Sequence, residues 1–534
     1  MAPAPHDTPR LRADLVAALR ADLTAAGYTV DGVEAALGPV AAAALHREQR
    51  LPADLATRSR TEPVAVLVRL LALGLGVDRD RLEAALPTLG VAGLEALGLV
   101  NADGGLRPRC DLRPYADDSH TWWVASDLSE LVTGPPLRED HVIGIGGAST
   151  TLAAWTPRRP VARALDLGTG CGVQALHLAA HADTIVATDV SARALDYARF
   201  NAALAGLDLD LRQGSLLEPV ASERFDLVVS NPPFVITPRA DEVPVFDYRD
   251  GGLVGDRFVA SLVRSVGSVL EPGGVAQLLG NWEVPRGTTW RERWTEWLQG
   301  TGLDAWVVQR DEQDPAEYAE LWARDSGSQA GVAGFEELYA AWLADFAARD
   351  VERIGFGVVT LQRPATHRAP WVDLVEATGP VAPAMGGTVE AGLAARTWLA
   401  EHGDTGLLDT AWRCAADVTE ERHTRPGAEH PGVIVLRQGG GLRRAVQLDT
   451  VLSGLVSVCD GTLTARQALS AIAELLELDP HAVVAAALPV LRDLVADGLL
   501  LDAGDAGDAG PAGVRYAAPV AGHTGRMPVD CPRT

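Results

Sequence analysis

The sequence of 534 residues contains no lysine, so all 46 of its basic residues are arginines. Acidic residues number 71, which gives a formal net charge of −25. A charge of this sign favours solubility and disfavours broad binding to a phosphate backbone, although it is compatible with a local arginine patch. The absence of lysine, in a chain rich in Ala, Gly and Leu, indicates the coding bias of a GC-rich genome more than a function.

Cysteine is also scarce, with five residues at positions 110, 171, 414, 459 and 531. None forms a Cys-x-x-Cys pair, so the sequence predicts neither a metal site nor a redox pair. The first residues, MAPAPHDTPR, lack the charged and then apolar pattern of a signal peptide. No apolar run reaches the roughly 20 residues that a membrane span needs. These absences predict a cytoplasmic protein in a reducing compartment, with no membrane and no metal partner.

The length predicts about two to four domains. Residues 1–137 read as helices followed by a small hairpin, which is typical of a winged-helix module. Such a module serves either nucleic-acid binding or docking of a substrate. We favour docking, because the third helix of the pattern, VAGLEALGLV, offers no arginine to a groove. Residues 365–501 predict a second helical, winged-helix-like domain, and the tail 502–534 predicts disorder because bulky apolar residues are few.

Residues 138–364 alternate strand-like and helical patterns, which predicts an α/β domain with a mostly parallel sheet. The predicted strands are Arg163–Leu167, Thr184–Thr188, Leu207–Arg212, Phe225–Ser230, Gly274–Leu279, Ala305–Gln309 and Ile354–Leu361. The predicted fold class is therefore α/β, with a seven-stranded Rossmann-like domain between two mainly helical, winged-helix-like domains.

A glycine-rich loop follows the first of these strands, in the sequence Asp166-Leu167-Gly168-Thr169-Gly170-Cys171-Gly172. Glycines between a strand and a helix allow positive φ angles and let a ligand approach the backbone. The second strand ends in Thr188-Asp189-Val190-Ser191. An acidic side chain at this strand end can accept hydrogen bonds from both ribose hydroxyls of a nucleoside. The pair of motifs predicts a nucleoside-containing ligand.

The sequences DLGTGCG, ATDVS and FDLVVSNPPF together resemble those of class I S-adenosylmethionine-dependent methyltransferases. The resemblance covers about residues 138–364 and implies S-adenosylmethionine as the cofactor. In this family the adenine site usually includes an acidic residue beside a glycine, whereas this chain carries Ser215 after Gly214. The cofactor-binding residues that the resemblance implies are Asp166, Gly168, Thr169, Gly170, Cys171, Gly172, Asp189, Val190, Gly214, Ser215, Leu216 and Asn231.

The fourth predicted strand ends in Ser230-Asn231-Pro232-Pro233-Phe234. In the family that the chain resembles, this motif marks enzymes that methylate a planar nitrogen. The lone pair of such a nitrogen is held in resonance, so two acceptors aimed at its N–H groups, the Asn231 amide oxygen and the Pro232 carbonyl, would free it for attack. Pro233 would hold these acceptors rigidly, and Phe234 would offer a face to a flat group. These four residues are the predicted catalytic set.

The sequence leaves the acceptor open between a protein and a nucleic acid. The block Gly251-Gly252-Leu253-Val254-Gly255 and a helical N-terminal domain resemble release-factor glutamine N5-methyltransferases. The final Phe234 is instead more common in methyltransferases of rRNA bases. Our leading hypothesis is a protein glutamine-type amide or another translation component. The alternatives are an adenine or other base of RNA or DNA, a small biosynthetic molecule, and a nucleic-acid-binding regulator with an inactive methyltransferase domain.

Overall fold

The computed structural model describes residues 8–101, 105–133, 137–239, 243, 246–325 and 334–504. The described residues form two compact units. The first unit consists of the described residues within Met1–Ala153, Pro160–Gly302 and Asp311–Ala365. The second consists of those within Ala154–Arg159, Leu303–Arg310 and Thr366–Thr534. Most of the tail that we predict to be disordered, residues 505–534, lies outside the described residues.

The helices of the described ranges are α1 (Ala13–Ala25), α2 (Val30–Leu45), α3 (Arg50–Thr57), α4 (Pro63–Leu67), α5 (Arg79–Ala85), α6 (Gly90–Ala96), α7 (Glu130–Thr133), α8 (Gly147–Trp155), α9 (Val173–Leu178), α10 (Ala192–Ala205), α11 (Arg257–Ser265), α12 (Trp290–Leu298), α13 (Pro315–Asp325), α14 (Phe335–Ala348), α15 (Gly386–Asp409), α16 (Thr450–Ser457), α17 (Ala465–Leu475) and α18 (Pro480–Ala496). A π-helical turn, Val68–Ala72, continues α4.

The strands of these ranges are β1 (Val100–Asn101), β2 (Arg107–Pro108), β3 (Asp111–Ala116), β4 (Thr121–Ser126), β5 (Val161–Leu167), β6 (Ala182–Asp189), β7 (Asp210–Gln213), β8 (Phe225–Ser230), β9 (Leu270–Pro285), β10 (Asp304–Gln313), β11 (Val351–Gln362), β12 (Val372–Glu376), β13 (Ala411–Cys414), β14 (Val418–His423), β15 (Val433–Gln438), β16 (Ala445–Leu448), β17 (Asp460–Thr464) and β18 (Leu500–Asp502).

The first unit contains a mixed sheet whose strand order includes β11-β9-β8-β5-β6-β7. Strands β5 to β9 of this run pair in parallel, and β11 is antiparallel to β9. Apolar strands joined by helices favour this arrangement because a parallel sheet is covered by helices on both faces. The prediction of an α/β fold with a large sheet is therefore confirmed. The parallel strands bring the residues that follow β5, β6 and β8 to one edge of the sheet.

The N-terminal helices share a hydrophobic core with the start of the α/β region. The buried cluster that contains Leu19, Leu71 and Trp122 also contains Cys171 and Phe200. A polar contact accompanies it, since the Asn201 side chain accepts from the Ala125 backbone N–H at 2.8 Å and donates to the Cys171 carbonyl at 2.8 Å. Hairpin β3–β4 therefore supports α10 and the glycine-rich loop directly. The boundary at residue 137 stays a prediction.

The second unit holds the parallel pair of β10 and β12, two small antiparallel sheets and helices α15 to α18. Its buried cluster includes Leu407, Trp412, Leu469 and Leu491. The pattern of residues 480–496, with Pro489 in its middle, predicts two short helices that meet at Leu488; this prediction is wrong, because α18 continues through Pro489 as one helix. A proline within a helix removes one backbone hydrogen bond, and here packing of the helix on both sides of it outweighs that loss.

No helix within the described ranges is long and apolar enough to cross a membrane. In the same ranges, no group of three or more His, Cys, Asp or Glu side chains is arranged to hold a metal ion.

Candidate functional site

A cavity of about 280 Å³ lies at the carboxyl ends of β5, β6 and β8. It is bounded by the loops that follow β5, β6, β7 and β8, by the segment 140–144 and by residues 247–251 before α11. The predicted site residues that line it are Gly168, Thr169, Gly170, Cys171, Asp189, Val190, Gly214, Ser215, Leu216, Asn231, Pro232 and Pro233. Motifs that lie up to 65 residues apart in the chain thus meet around one space.

The glycine-rich loop turns from β5 into α9 around the buried carboxylate of Asp166. This carboxylate accepts from the Thr169 hydroxyl at 2.6 Å and from the Ala175 backbone N–H at 3.0 Å. Gly168 and Gly170 have φ angles of 73° and 55°, and apart from their chain neighbours no atom of the described residues lies within 4 Å of the place where a Cβ would stand. The loop therefore presents bare backbone to the cavity, where a ligand can approach closely.

Asp189 ends β6 at the opposite side of this loop. Its carboxylate accepts from the backbone N–H groups of Gly170 and Ser191, both at 2.9 Å. Burial raises the pKa of this carboxyl above its ordinary value, while the two N–H groups act in the other direction. Each oxygen has a second acceptor position, and the side chain lines the cavity. Asp189 can therefore hold hydroxyl groups of a ligand while it fixes the glycine-rich loop.

Two apolar side chains stand beside Asp189 in this cavity. Val190 is 62% exposed although it directly follows a buried strand. Leu216 lines the same cavity and has a φ of 48°, in the left-handed region that non-glycine residues rarely adopt. Exposed or strained apolar residues at a cavity wall fit contact with a flat apolar surface. The cavity therefore combines a carboxylate and an apolar wall, as a nucleoside requires.

The end of β8 contributes the acceptor side of the cavity. The Ser230 hydroxyl donates to the Leu167 carbonyl at 2.7 Å and ties β8 to β5. The next residue, Asn231, lines the cavity, and its Oδ1 atom is buried with no hydrogen-bond partner among the described residues. A buried amide oxygen without a partner costs free energy of order 1–3 kcal/mol, so its persistence in a cavity wall points to a ligand that donates to it.

Three predicted residues do not line the cavity. Asp166 and Gly172 lie beneath the loop, and a Cβ on Gly172 would stand 3.3 Å from the Cα of Ala198 on α10. Phe234 is half-buried and packs against the cluster that contains Tyr318 and Trp342. Its role as a stacking face stays a prediction, as do the roles of the other site residues.

The segment 140–144 covers the cavity and is held by Asp127, which sequence reasoning misses. Asp127 accepts from the Val142 backbone N–H at 2.8 Å and receives both Arg193 amino groups at 2.6–3.0 Å. The Tyr197 hydroxyl also donates to it at 2.7 Å. Because Arg193 and Tyr197 lie on α10, Asp127 joins the covering segment to the helix that follows Asp189.

Residues 247–258 form the remaining wall of the cavity. Only the glycines of this segment could be recognised from the sequence as part of a site. Asp250 is buried and receives Arg239 at 2.5 and 2.9 Å. A Cβ on Gly251 would stand 2.3 Å from the Phe258 ring, so this glycine permits close packing of the wall on α11. Phe258 and Leu262, one helical turn apart on α11, also line the cavity, and their spacing is the only signal that could have identified them.

The cavity wall carries an excess of acidic side chains. Asp140, Asp189, Asp247 and Asp250 line it, and no arginine does so among the described residues. Burial raises the pKa of the Asp247 carboxyl, and Asp140, Glu139 and Asp250 raise it further by repulsion. Clustered carboxylates favour a cationic ligand and disfavour a phosphate chain. Cys171 is no candidate nucleophile, because burial raises the pKa of its thiol to about 12.

The buried carboxyl of Asp166 predicts a specific pH dependence of stability. Burial raises its pKa to about 7, and the neighbouring Asp189 acts in the same direction. Between about pH 4 and 7 the folded state therefore binds more protons than the unfolded state, so stability falls as the pH rises through this window. In scanning calorimetry, we expect the melting temperature of Asp166→Asn to fall less than that of the parent as the pH rises from about 5 to 8. Parallel curves for the two proteins would contradict this assignment.

Three segments of the chain match family models. Residues 144–245 match the methyltransferase small domain. Residues 25–111 and 390–502 match two families described as domains of unknown function. The matched methyltransferase segment contains the glycine-rich loop, Asp189 and Asn231, so the recognition of a methyltransferase domain from these motifs is confirmed.

Curated relatives also match around this segment. The release factor glutamine methyltransferase of Geobacter sulfurreducens is 40% identical over 130 residues, which cover 22% of this chain and 45% of that protein. The ribosomal protein uL3 glutamine methyltransferase of Bradyrhizobium diazoefficiens is 34% identical over 149 residues, covering 26% and 46%. The ribosomal RNA small subunit methyltransferase C of Salmonella arizonae is 31% identical over 181 residues, covering 34% and 46%. The chain thus spans less than half the length of each of these relatives.

Proposed function

We propose that this chain is an S-adenosylmethionine-dependent N-methyltransferase whose acceptor is a planar amide nitrogen of a protein, of the glutamine type. The observation that carries the proposal is the buried Oδ1 of Asn231, which lacks a hydrogen-bond partner within the described residues and belongs to a residue that lines the cavity beside two prolines. An N–H donor of the substrate satisfies this atom.

The residues around the cavity fit S-adenosylmethionine. We assign Asp189 to the ribose hydroxyls and Val190 and Leu216 to the adenine, which is supported by their common position in the cavity wall. Gly168 and Gly170 leave open space for the amino-acid part of the cofactor. The carboxylates of Asp140 and Asp247 complement the positive charges of the sulfonium and ammonium groups. When bound, the cofactor supplies an electrophilic methyl group.

The residues at the end of β8 hold and activate the acceptor. Asn231 accepts one N–H of the amide, and the carbonyl of Pro232 accepts the other. With both N–H groups bound, the nitrogen lone pair is drawn from resonance toward the methyl group, and the developing positive charge is stabilised. The proline pair restricts backbone rotation, so the two acceptors keep their alignment. The nitrogen then loses its extra proton to water.

Two features favour a protein amide over a nucleic-acid base. Matched relatives are named as glutamine methyltransferases of a release factor and of a ribosomal protein. The carboxylates of Asp140 and Asp247 line the cavity and repel phosphates. Alongside the function we propose the seven-stranded class I methyltransferase arrangement for residues 138–364 and winged-helix-like character for the flanking domains. The observed helices and hairpins of residues 8–126 support that character.

Methyl transfer into a cell lysate tests this function. The full-length protein is incubated with S-adenosylmethionine labelled in the methyl group, and the lysate is treated with nuclease or protease afterwards. We expect the label to survive nuclease and to be released by protease. Acid hydrolysis of the labelled fraction should release methylamine, since an N-methyl amide is cleaved between carbonyl and nitrogen. Label that nuclease removes would establish base methylation instead, and no label in any fraction would contradict an active enzyme.

Substitution of Asp189 by alanine should weaken cofactor binding selectively. A hydrogen bond to a charged acceptor contributes about 1.5–3 kcal/mol, so we expect the Kd for S-adenosylhomocysteine in calorimetry to rise about 10- to 150-fold. The exposed Asp208, between α10 and β7, provides the matched control, and Asp208→Ala should bind like the parent. An unchanged Kd in Asp189→Ala would overturn the ribose assignment.

A further inference from the structure

A second cavity, of about 380 Å³, lies in the N-terminal helical region, and arginine is the most frequent residue in its wall. It is formed by the segment after α3, the π-helical turn, the start of α5 and β2, and shares no lining residue with the first cavity. Its arginines are Arg58, Arg60, Arg69, Arg81 and Arg107. In a chain with a net charge of −25, five guanidinium groups around one concave space need an explanation.

Nearby carboxylates neutralise these arginines only in part. Asp54 receives both Arg58 and Arg69, the latter at 2.7 Å. Arg60 pairs with Glu62 at 3.1 Å, and Arg81 lies 3.4 Å from Asp78. The structure shows no ion pair for Arg107 among the described residues, and its side chain is exposed. The cavity therefore keeps an excess of positive charge, and among the described residues Asp78 is the single acidic one in its wall.

Contacts within the protein also fix the positions of two of the arginine side chains that line this cavity. Arg69 is mostly buried and donates to the Asp54 carbonyl at 3.1 Å and to the Thr57 hydroxyl at 3.3 Å, so its position is fixed. Arg60 donates to the Ala36 carbonyl at 2.6 Å. The π-helical turn that carries Arg69 is a rare conformation that is frequently associated with function. Fixed guanidinium groups lose little conformational entropy when they bind a ligand.

We propose that this arginine cavity, defined by Arg58, Arg60, Arg69, Arg81 and Arg107, binds the phosphate group of a nucleotide or of an RNA strand. Guanidinium groups match phosphate oxygens with two parallel hydrogen bonds, and several forks around a concave space suit a compact dianion. A separate phosphate site is compatible with the protein acceptor proposed above, because it lies apart from the carboxylates that line the first cavity. Phosphates of a partner are held in the arginine cavity, away from the group that is methylated.

Binding to the full-length protein tests the proposal, with three probes in low-salt buffer: inorganic pyrophosphate, ATP and a fluorescent single-stranded RNA of about 20 nucleotides. The test variant is Arg81→Gln with Arg107→Gln, because neither side chain is buried. The matched control is Arg79→Gln, which removes an exposed arginine of the same helix α5 that does not line the cavity. We expect the test variant to bind at least one phosphate probe about tenfold or more weakly, and the control to stay within about twofold.

The pattern of outcomes separates the two sources of phosphate. If the test variant loses binding of pyrophosphate and ATP as well as of RNA, the site is the size of a nucleotide. If it loses binding of RNA alone, the site binds an RNA strand. For RNA, the dependence of log Kd on log salt should also become shallower in the test variant, since each phosphate contact adds to this slope. The proposal would be overturned by an equal loss of phosphate binding in Arg79→Gln, or by the absence of binding to any phosphate probe. It would also be overturned if poly-glutamate binds with the same arginine dependence while no phosphate probe binds.

Discussion

Replacing Asn231 with alanine is expected to lower kcat for methyl transfer by about 10²- to 10³-fold, the usual loss when one preorganised hydrogen-bonding group is removed from a site of developing charge. The affinity for S-adenosylhomocysteine should stay within about twofold, because the residues proposed for the ribose and adenine lie on the loops after β6 and β7. The Oδ1 atom that is lost has no partner in the described parts of the protein. Its removal therefore breaks no internal hydrogen bond, and the melting temperature should fall little.

Asn231→Asp serves as the paired variant, because it keeps an oxygen at the same position and can still accept from an N–H group. Single-turnover transfer of labelled methyl, together with calorimetric titration of S-adenosylhomocysteine, separates the chemical step from binding. We expect Asn231→Asp to keep more activity than Asn231→Ala. Equal loss of binding and of transfer in Asn231→Ala would contradict the role assigned to this side chain.

Replacing Asp127 with alanine is expected to produce the largest loss of stability at the candidate site. The Asp127 side chain is only 10% exposed and binds Arg193, Tyr197 and the Val142 backbone, all at 2.6–3.0 Å. Its removal takes from Arg193 the carboxylate that binds both of its amino groups, and breaking such a largely buried ion pair costs about 3–5 kcal/mol. The free energy of unfolding in urea and the melting temperature should both fall. The control is Asp196→Ala on the same helix α10, since its exposed pair with Arg199 should contribute about 0–1 kcal/mol.

The same substitution should also weaken cofactor binding. With Asp127 removed, the Val142 N–H loses its carboxylate, and the segment 140–144 that lines the cavity keeps only weaker support from α10, such as the 3.8 Å approach of Arg193 to Asp140. Binding of S-adenosylhomocysteine is measured well below the melting temperature, so that unfolded protein does not contribute. A variant that melts like the parent and binds the cofactor normally would refute the supporting role of Asp127.

The parts of the fold that the sequence predicts well are those specified by local pattern. Strand β8 is predicted at its observed bounds, Phe225–Ser230, because an apolar run ends at two prolines. The glycine-rich loop and the end of β6 are likewise readable from consecutive residues. Helix α2 escapes prediction because Gly38 and Pro39 interrupt it, and the chain bends there, with a φ of 73° at Gly38.

What the sequence does not reveal depends on contacts across long chain separations. Asp127 meets Arg193 across 66 residues, and nothing near Asp127 in the sequence signals this. The arginine cavity is similar, since Arg58 and Arg107 come from separate elements and carry no motif. Phe234 illustrates the opposite case. The motif is read correctly from local sequence, but the direction of its last side chain is set by the distant cluster around Tyr318.

The core shared by the N-terminal helices and α10 has a consequence for engineering. Family models describe residues 25–111 and 144–245 as two separate matches, which suggests parts that can be exchanged between relatives. In the folded chain, a cut between them divides one hydrophobic cluster, and a cut after Ala125 also separates Ala125 from Asn201. A chimera must therefore take the residues on both sides of this shared cluster from one parent. Natural variation on one side of it should be accompanied by compensating changes on the other.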